Sequence, residues 1–306
     1  MAAIETHKEK GRLYAWSVLG LGKRRIIQTI SALLSNANLA GFINGTLYKG
    51  NLKSVCVPGL NCYSCPAAVG SCPLGTLQTA LGGIKNKFPF YILGTLLLFS
   101  VILGRGICAF LCPFGLIQEL LHKIPTPKLK KSRKTRMASW LKYIILLVFV
   151  VVMPLYYLAK NGVAVPGFCK YICPAGTLTG GIPLLLADER LRAVIGDLFL
   201  WKTAVLAAVI MFCVFIYRGF CRFLCPLGAI YSLFSRITLF GVNIDEKKCT
   251  RCAACVNLCK LDVHAVNDRE CIRCGECRKV CGYGAIELGV IQTYHCPSRD
   301  PIETQP

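Results

Sequence analysis

Arg105-Gly106-Ile107-Cys108-Ala109-Phe110-Leu111-Cys112-Pro113-Phe114-Gly115 recurs as Arg218-Gly219-Phe220-Cys221-Arg222-Phe223-Leu224-Cys225-Pro226-Leu227-Gly228. A four-residue spacing puts both sulfurs on one face of a helix end. The proline stops that helix and suits the first turn of the next, where its missing N–H costs nothing. Each copy offers two thiolates. Looser copies follow Cys72 (Cys72-Pro73-Leu74-Gly75-Thr76-Leu77) and Cys169 (Cys169-x3-Cys173-Pro174-Ala175-Gly176-Thr177-Leu178).

Working outward, each of the two near-identical copies ends an apolar stretch. Residues 88–104, 140–159 and 198–217 are long enough to cross a bilayer at about 1.5 Å per residue. The stretch 26–48, interrupted by Gln28, Asn36, Asn38 and Asn44, is read as a fourth span with its amides toward the bundle interior; an interfacial helix is the alternative. Each half then runs span, outer Cys-Pro motif, span, inner Cys-Pro motif, so two parallel repeats are expected. Lys and Arg number 27 in the segments 1–25, 105–142 and 218–306 against 9 in the other two loops. By the positive-inside rule both termini are cytoplasmic and the chain is a multi-pass protein of the cell's cytoplasmic (inner) membrane. No cleavable signal peptide is expected in the basic segment 1–25.

The C-terminal cysteines follow C-x2-C-x2-C-x3-C twice: Cys249, Cys252, Cys255, Cys259, then Cys271, Cys274, Cys277, Cys281. In this spacing three thiolates bind one [4Fe-4S] cube and the fourth reaches the other. One cluster is expected on Cys249, Cys252, Cys255 and Cys281, the second on Cys271, Cys274, Cys277 and Cys259. Zinc is the lesser alternative. The fold class is thus an α-helical membrane protein with four transmembrane helices plus a C-terminal α+β two-cluster ferredoxin-like domain. The divisions are a basic N-terminus (1–25), a membrane domain (26–240), the ferredoxin domain (241–291) and a tail (292–306).

Cys108, Cys112, Cys221 and Cys225 are assigned to a third cluster at the cytoplasmic side. On the outer side Cys169 and Cys173 meet Cys56, Cys62, Cys65 and Cys72, six thiols for four places. A fourth cluster drawn from Cys62, Cys65, Cys72, Cys169 and Cys173, with spare cysteines, is preferred there. Disulfides are the other reading, since such a loop can be oxidising. Cys213 reads as an apolar packer; Cys296 receives no role.

Composition sets limits. Of 306 residues 54% are hydrophobic and the mean hydropathy is +0.53, too apolar for an ordinary cytosolic enzyme. The formal charge of +21 would suit nucleic acid, but the basic residues sit in the loops a membrane topology requires and thiolate-bound clusters offset part of it, so no nucleic-acid partner is expected. Four histidines lie outside the spans, and neither a C-x2-C-H haem motif nor a G-x-G-x-x-G nucleotide loop occurs, so neither haem nor a bound nucleotide or covalent flavin is expected.

The paired Arg-Gly-x-Cys-x-Phe-Leu-Cys-Pro-x-Gly copies with the doubled ferredoxin motif resemble the NapH/NosR-type membrane polyferredoxins over about residues 26–290. The resemblance implies anaerobic respiratory electron transport between a quinone pool or cytoplasmic donor and reductases outside the membrane. Two outer motifs set the chain apart from the simplest NapH pattern. The expected function is a conduit for single electrons from a cytoplasmic donor, through ferredoxin and intramembrane clusters, to an extracytoplasmic flavoprotein or reductase. In this reading the chain is an electron-transfer subunit of an oxidoreductase complex with no catalytic residue of its own. A quinone oxidoreductase subunit is the alternative; a redox or iron sensor, or an assembly protein, is a third. Gln118 and His122, which follow the inner motif, could touch quinone but read rather as the polar face of an interfacial helix.

Overall fold

The computed structural model describes residues 23–83, 89–129, 131–193 and 195–291. Cys296, most of the N-terminal segment and the tail 292–306 lie outside these. The main helices are α1 (23–35), α2 (Pro73–Ala80), α3 (Phe90–Ile102), α4 (Pro113–Leu121), α5 (Arg133–Asn161), α6 (Pro174–Ala187), α7 (Asp197–Phe215) and α8 (Pro226–Leu233). Each of α2, α4, α6 and α8 opens with the proline of a Cys-Pro motif. In each case the cysteine occupies the extended cap position that precedes the proline.

Among the described residues only α5 and α7, with 29 and 19 residues, are long and apolar enough to cross a membrane. Both are largely exposed along their apolar lengths. Ile144, Leu147, Leu200, Trp201 and Met211 all face outward. Helix α3 has 13 residues, about 20 Å. The expected span 26–48 is not one helix. Helix α1 stops at residue 35, and Asn36–Asn38 break it before a short turn at Ala40–Asn44. Asn36 bonds back to the Ala32 carbonyl and Asn38 to that of Pro66, while Asn44 is exposed rather than turned inward.

Helix α1 presents Arg24, Gln28, Ser31 and Ser35 on one face at helical spacing. Three of these bond carbonyls around the break at Pro113, whose missing N–H interrupts the helical ladder. Arg24 bonds the Ala109 carbonyl, Ser31 that of Leu111, and Gln28 that of Cys112 at 2.8 Å.

The C-terminal domain pairs β1 (Phe240–Ile244) antiparallel with β2 (Ile286–Val290), from Phe240↔Val290 to Ile244↔Ile286. The two cysteine loops lie between them in sequence. Both loops enter the left-handed region at matching positions, Arg251 and Ala253 in the first and Arg273 and Gly275 in the second. The strained turn is therefore built twice. At Gly275, where φ is +75°, a Cβ would lie 2.4 Å from the Leu288 side chain, which would have to shift to admit it.

Candidate iron–sulfur centres

Cys108, Cys112, Cys221 and Cys225, all buried, line one small cavity. Their sulfurs stand within electrostatic reach of one another. Short helical turns, Gly106–Phe110 and Gly219–Phe223, carry the first cysteine of each pair, and the Cys-Pro cap carries the second. Four buried thiols would repel one another once ionised, and cationic iron at their centre removes that cost. This all-thiol donor set fits a [4Fe-4S] cube.

The outer cysteines sort themselves. The Cys62 sulfur lies against Gly176, 3.5 Å from where a Cβ would stand, and Cys169 lies 3.7 Å from the same point on Gly75. Both glycines belong to Cys-Pro-x-Gly turns, which places each sulfur against the turn of a facing motif. Cys173 is within electrostatic reach of Cys62 and Cys72, and Cys169 of all three. Cys62, Cys72, Cys169 and Cys173 thus face one another. Cys65, which the spacing includes, lies beside Cys62 but points toward Asn36 and packs with Ala67 and Ala68. Cys56 sits beside the Thr76 hydroxyl. No disulfide joins any described cysteine.

The segment Pro58–Asn61 separates the two quartets. Pro58, Gly59 and Leu60 line the inner cavity, and a Cβ on Gly59 would come within 2.9 Å of the Cys112 Cα. The neighbouring amides of Leu60 and Asn61 donate to Cys112 and Cys72 respectively. Tyr231, fully buried, bonds the Pro58 carbonyl at 2.7 Å. The first outer loop therefore reaches into the bundle.

In the ferredoxin domain Cys259, Cys271, Cys274 and Cys277 line a second cavity together with Cys255 and Tyr217. Burial pushes the Cys259 thiol up to about 11, and neighbouring Cys271 adds to it. Cys255 is close to Cys249 and Cys252, and Cys252 is exposed. Cys281 accepts a hydrogen bond from the Ala285 amide beside the sheet. Among the described residues no three such side chains gather tightly enough for a single metal ion. Ligands of a cube stand farther apart than ligands of one ion.

Buried ion pairs fasten this domain to the bundle. Glu270, next to Cys271, takes Arg105 at 2.7 Å and Lys142 at 2.6 Å. Burial disfavours its charge, but Arg105 and Lys142 outweigh this and hold the carboxyl at about 2. Arg222 pairs with Asp262, and Arg136 with Asp268 at 3.3 Å. The second repeat's arginine, Arg218, reaches Glu119 at 2.7 Å and the Cys108 carbonyl. Arg24 and Tyr217 also bond Glu119. Burial opposes the Glu119 charge as well, and Arg24 and Arg218 hold that carboxyl at about 2. Arg105 and Arg218 are thus the motif arginines, each buried beside the inner quartet; the repeat was their only signal in the sequence.

Gln118 does not lie on a polar interfacial face. It is fully buried and donates to the Cys221 sulfur at 2.9 Å. Cys213 is buried, as an apolar packer would be, and its thiol points to the Gln118 carbonyl at 3.5 Å. His122 is half-buried, with its ring edge-on to Tyr217 at 5.4 Å.

Comparison with known proteins matches residues 88–132, 140–187 and 198–244 to one 4Fe-4S binding domain, and 264–287 to another. The chain is a 4Fe-4S ferredoxin-type protein. This agrees with the NosR-type resemblance. The three matched repeats carry Cys108 and Cys112, Cys169 and Cys173, and Cys221 and Cys225; the segment with Cys62 and Cys72 precedes them. The chain is 30% identical to regulatory protein NosR of Pseudomonas aeruginosa over 56% of its own length and 22% of NosR. It is 26% identical to the methylamine utilization ferredoxin-type protein MauN of Paracoccus denitrificans, over 73% of this chain and 72% of MauN. An uncharacterized protein of Methanocaldococcus jannaschii is 27% identical over 53% of this chain and 72% of the relative. No solved structure matches. The ferredoxin-type protein is thus an iron–sulfur electron-transfer protein, with redox partners implied.

Proposed function

We propose that this protein conducts single electrons across a membrane, from a cytoplasmic donor to an extracytoplasmic acceptor such as a flavoprotein or reductase. A [4Fe-4S] cube, when bound, exchanges one electron at a time. Four sites would serve: Cys249, Cys252, Cys255 and Cys281; Cys271, Cys274, Cys277 and Cys259; the inner quartet; and Cys62, Cys72, Cys169 and Cys173. The observation that carries the reading is continuity. One packed core contains Cys72, Cys173, Cys108, Cys112, Cys221 and Cys225, and Cys259, Cys271 and Cys274 pack against it. The protein's own part is to bury the thiols, exclude water from them and hold the ferredoxin domain on the bundle through Glu270. A purely quinone-directed role would leave the outer quartet without use.

The membrane assignment, with both termini cytoplasmic, belongs to the same proposal. Its support is the outward apolar surface of α5 and α7 and the basic loops. The test uses vesicles of anionic phospholipid containing the intact protein, with an impermeant oxidised dye enclosed and a low-potential reductant outside. Dye reduction that depends on protein and is abolished in Cys72→Ser is expected. Equal reduction in empty vesicles, or none at all with all clusters present, would reject the conduit.

A further inference from the structure

The sixth residue after Cys72 and after Cys112 is glutamine, Gln78 and Gln118, and both side chains are fully buried. Each makes contacts of the same three kinds, and Gln118 Oε1 also accepts from the Cys213 thiol. Gln118 Nε2 donates to the Cys221 sulfur at 2.9 Å and to the Phe114 carbonyl at 3.3 Å, while its Oε1 accepts from the Cys221 amide at 3.2 Å. Gln78 Nε2 donates to the Cys169 sulfur at 3.3 Å and to the Leu74 carbonyl at 3.3 Å, while its Oε1 accepts from the Phe168 amide at 3.1 Å. A backbone N–H can only donate, so the carboxamide oxygen must face it and the NH₂ must face the sulfur and carbonyl. The orientation is therefore fixed by chemistry at both sites.

In each case the first repeat holds the leading cysteine of the second repeat's motif. The corresponding residues after Cys173 and Cys225 are Thr179 and Tyr231. Thr179 bonds the Ala175 carbonyl and Tyr231 the Pro58 carbonyl. The device is one-sided and occurs once per quartet.

We infer that Gln78 and Gln118 are paired positioning residues that set the reduction potentials of the two bundle centres by donating an N–H···S hydrogen bond to one ligand each. Such a bond stabilises the more negative, reduced form, and hydrogen bonds to ligand sulfur are among the factors that set cluster potential. The buried setting strengthens it. This inference rests on the cluster reading above.

The test is an anaerobic redox titration of the full chain in detergent, followed by EPR, comparing wild type with Gln118→Met. The inner-centre midpoint should fall by about 59 mV, a tenfold less favourable one-electron reduction. The ferredoxin midpoints should stay put and the iron content should be unchanged. Gln78→Met should shift the outer centre alone. An inner midpoint unmoved with the cluster retained would overturn the proposal. Should the variant lose its cluster, wild type carrying ¹⁵N-labelled glutamine side chains decides the matter. ENDOR of the inner centre must then show a coupled side-chain ¹⁵N–H, and its absence overturns the proposal. A wild-type iron count near that of the ferredoxin domain alone, about eight, would instead reject the cluster reading beneath it.

Discussion

At the scale of single residues, Glu270 joins the two parts of the molecule. Its carboxylate is the shared partner of Arg105 and Lys142, all three nearly inaccessible to water. Breaking a buried pair by removing one partner leaves an uncompensated charge and typically costs about 3–5 kcal/mol. Glu270→Gln should therefore expose the 241–291 segment to limited proteolysis under conditions where wild type resists; equal resistance would remove Glu270 from the docking. The pH dependence has a definite sign. The folded carboxyl is held at about 2, below the unfolded value near 4.3. Its stabilisation is complete above about pH 4.3 and is lost as pH falls toward 2. Docking followed by proteolysis should weaken as pH falls below about 4. Cysteine substitutions make a second test. Cys62→Ser should cost the outer cluster, about four irons per chain, whereas Cys65→Ser and Cys56→Ser should cost none. Iron loss from Cys65→Ser equal to that from Cys62→Ser would reassign the ligand.

At the scale of elements, the ferredoxin loops and the Cys-Pro helix starts were legible because their chemistry is local: thiol spacing, a proline and a glycine. Helices α5 and α7 were legible because an apolar run of about twenty residues is too long for a strand and marks a helix by length alone. The stretch 26–48 was misread because apolar content masked its breakpoint. Asn36 and Asn38 form local side-chain bonds that compete with helix continuation. The loop 49–83 was less legible still. It has no periodicity, and only tertiary structure shows Pro58–Asn61 wedged between the quartets. For the same reason spacing could not separate Cys62 from Cys65. Gln78 and Gln118 were visible as equal offsets in a repeat, but nothing in their type announced a sulfur partner. Gly59→Val tests the wedge, because a side chain there meets Cys112 backbone at 2.9 Å. The variant should lose inner-cluster EPR intensity while both ferredoxin signals persist; a full inner signal would show that the segment yields without consequence.

At the scale of the whole molecule, α1, α3, α5 and α7 all expose apolar side chains, and among the described residues only α5 and α7 are long enough to cross a membrane. The basic loops set the proposed orientation. A cysteine-free reporter fused after Pro306 should report cytoplasm, and one inserted near Asn161 should report the outside; the reverse pair would invert the proposed electron path. Shared ligation makes a stricter demand on the architecture. Cys112→Ala and Cys225→Ala should remove the same EPR signal, and the double variant should lose no more iron than either single one. The central claim, four centres strung through one core, is tested most directly by iron and acid-labile sulfide quantitation on anaerobically purified full-length protein. About sixteen irons per chain are predicted, and about eight would contradict the account.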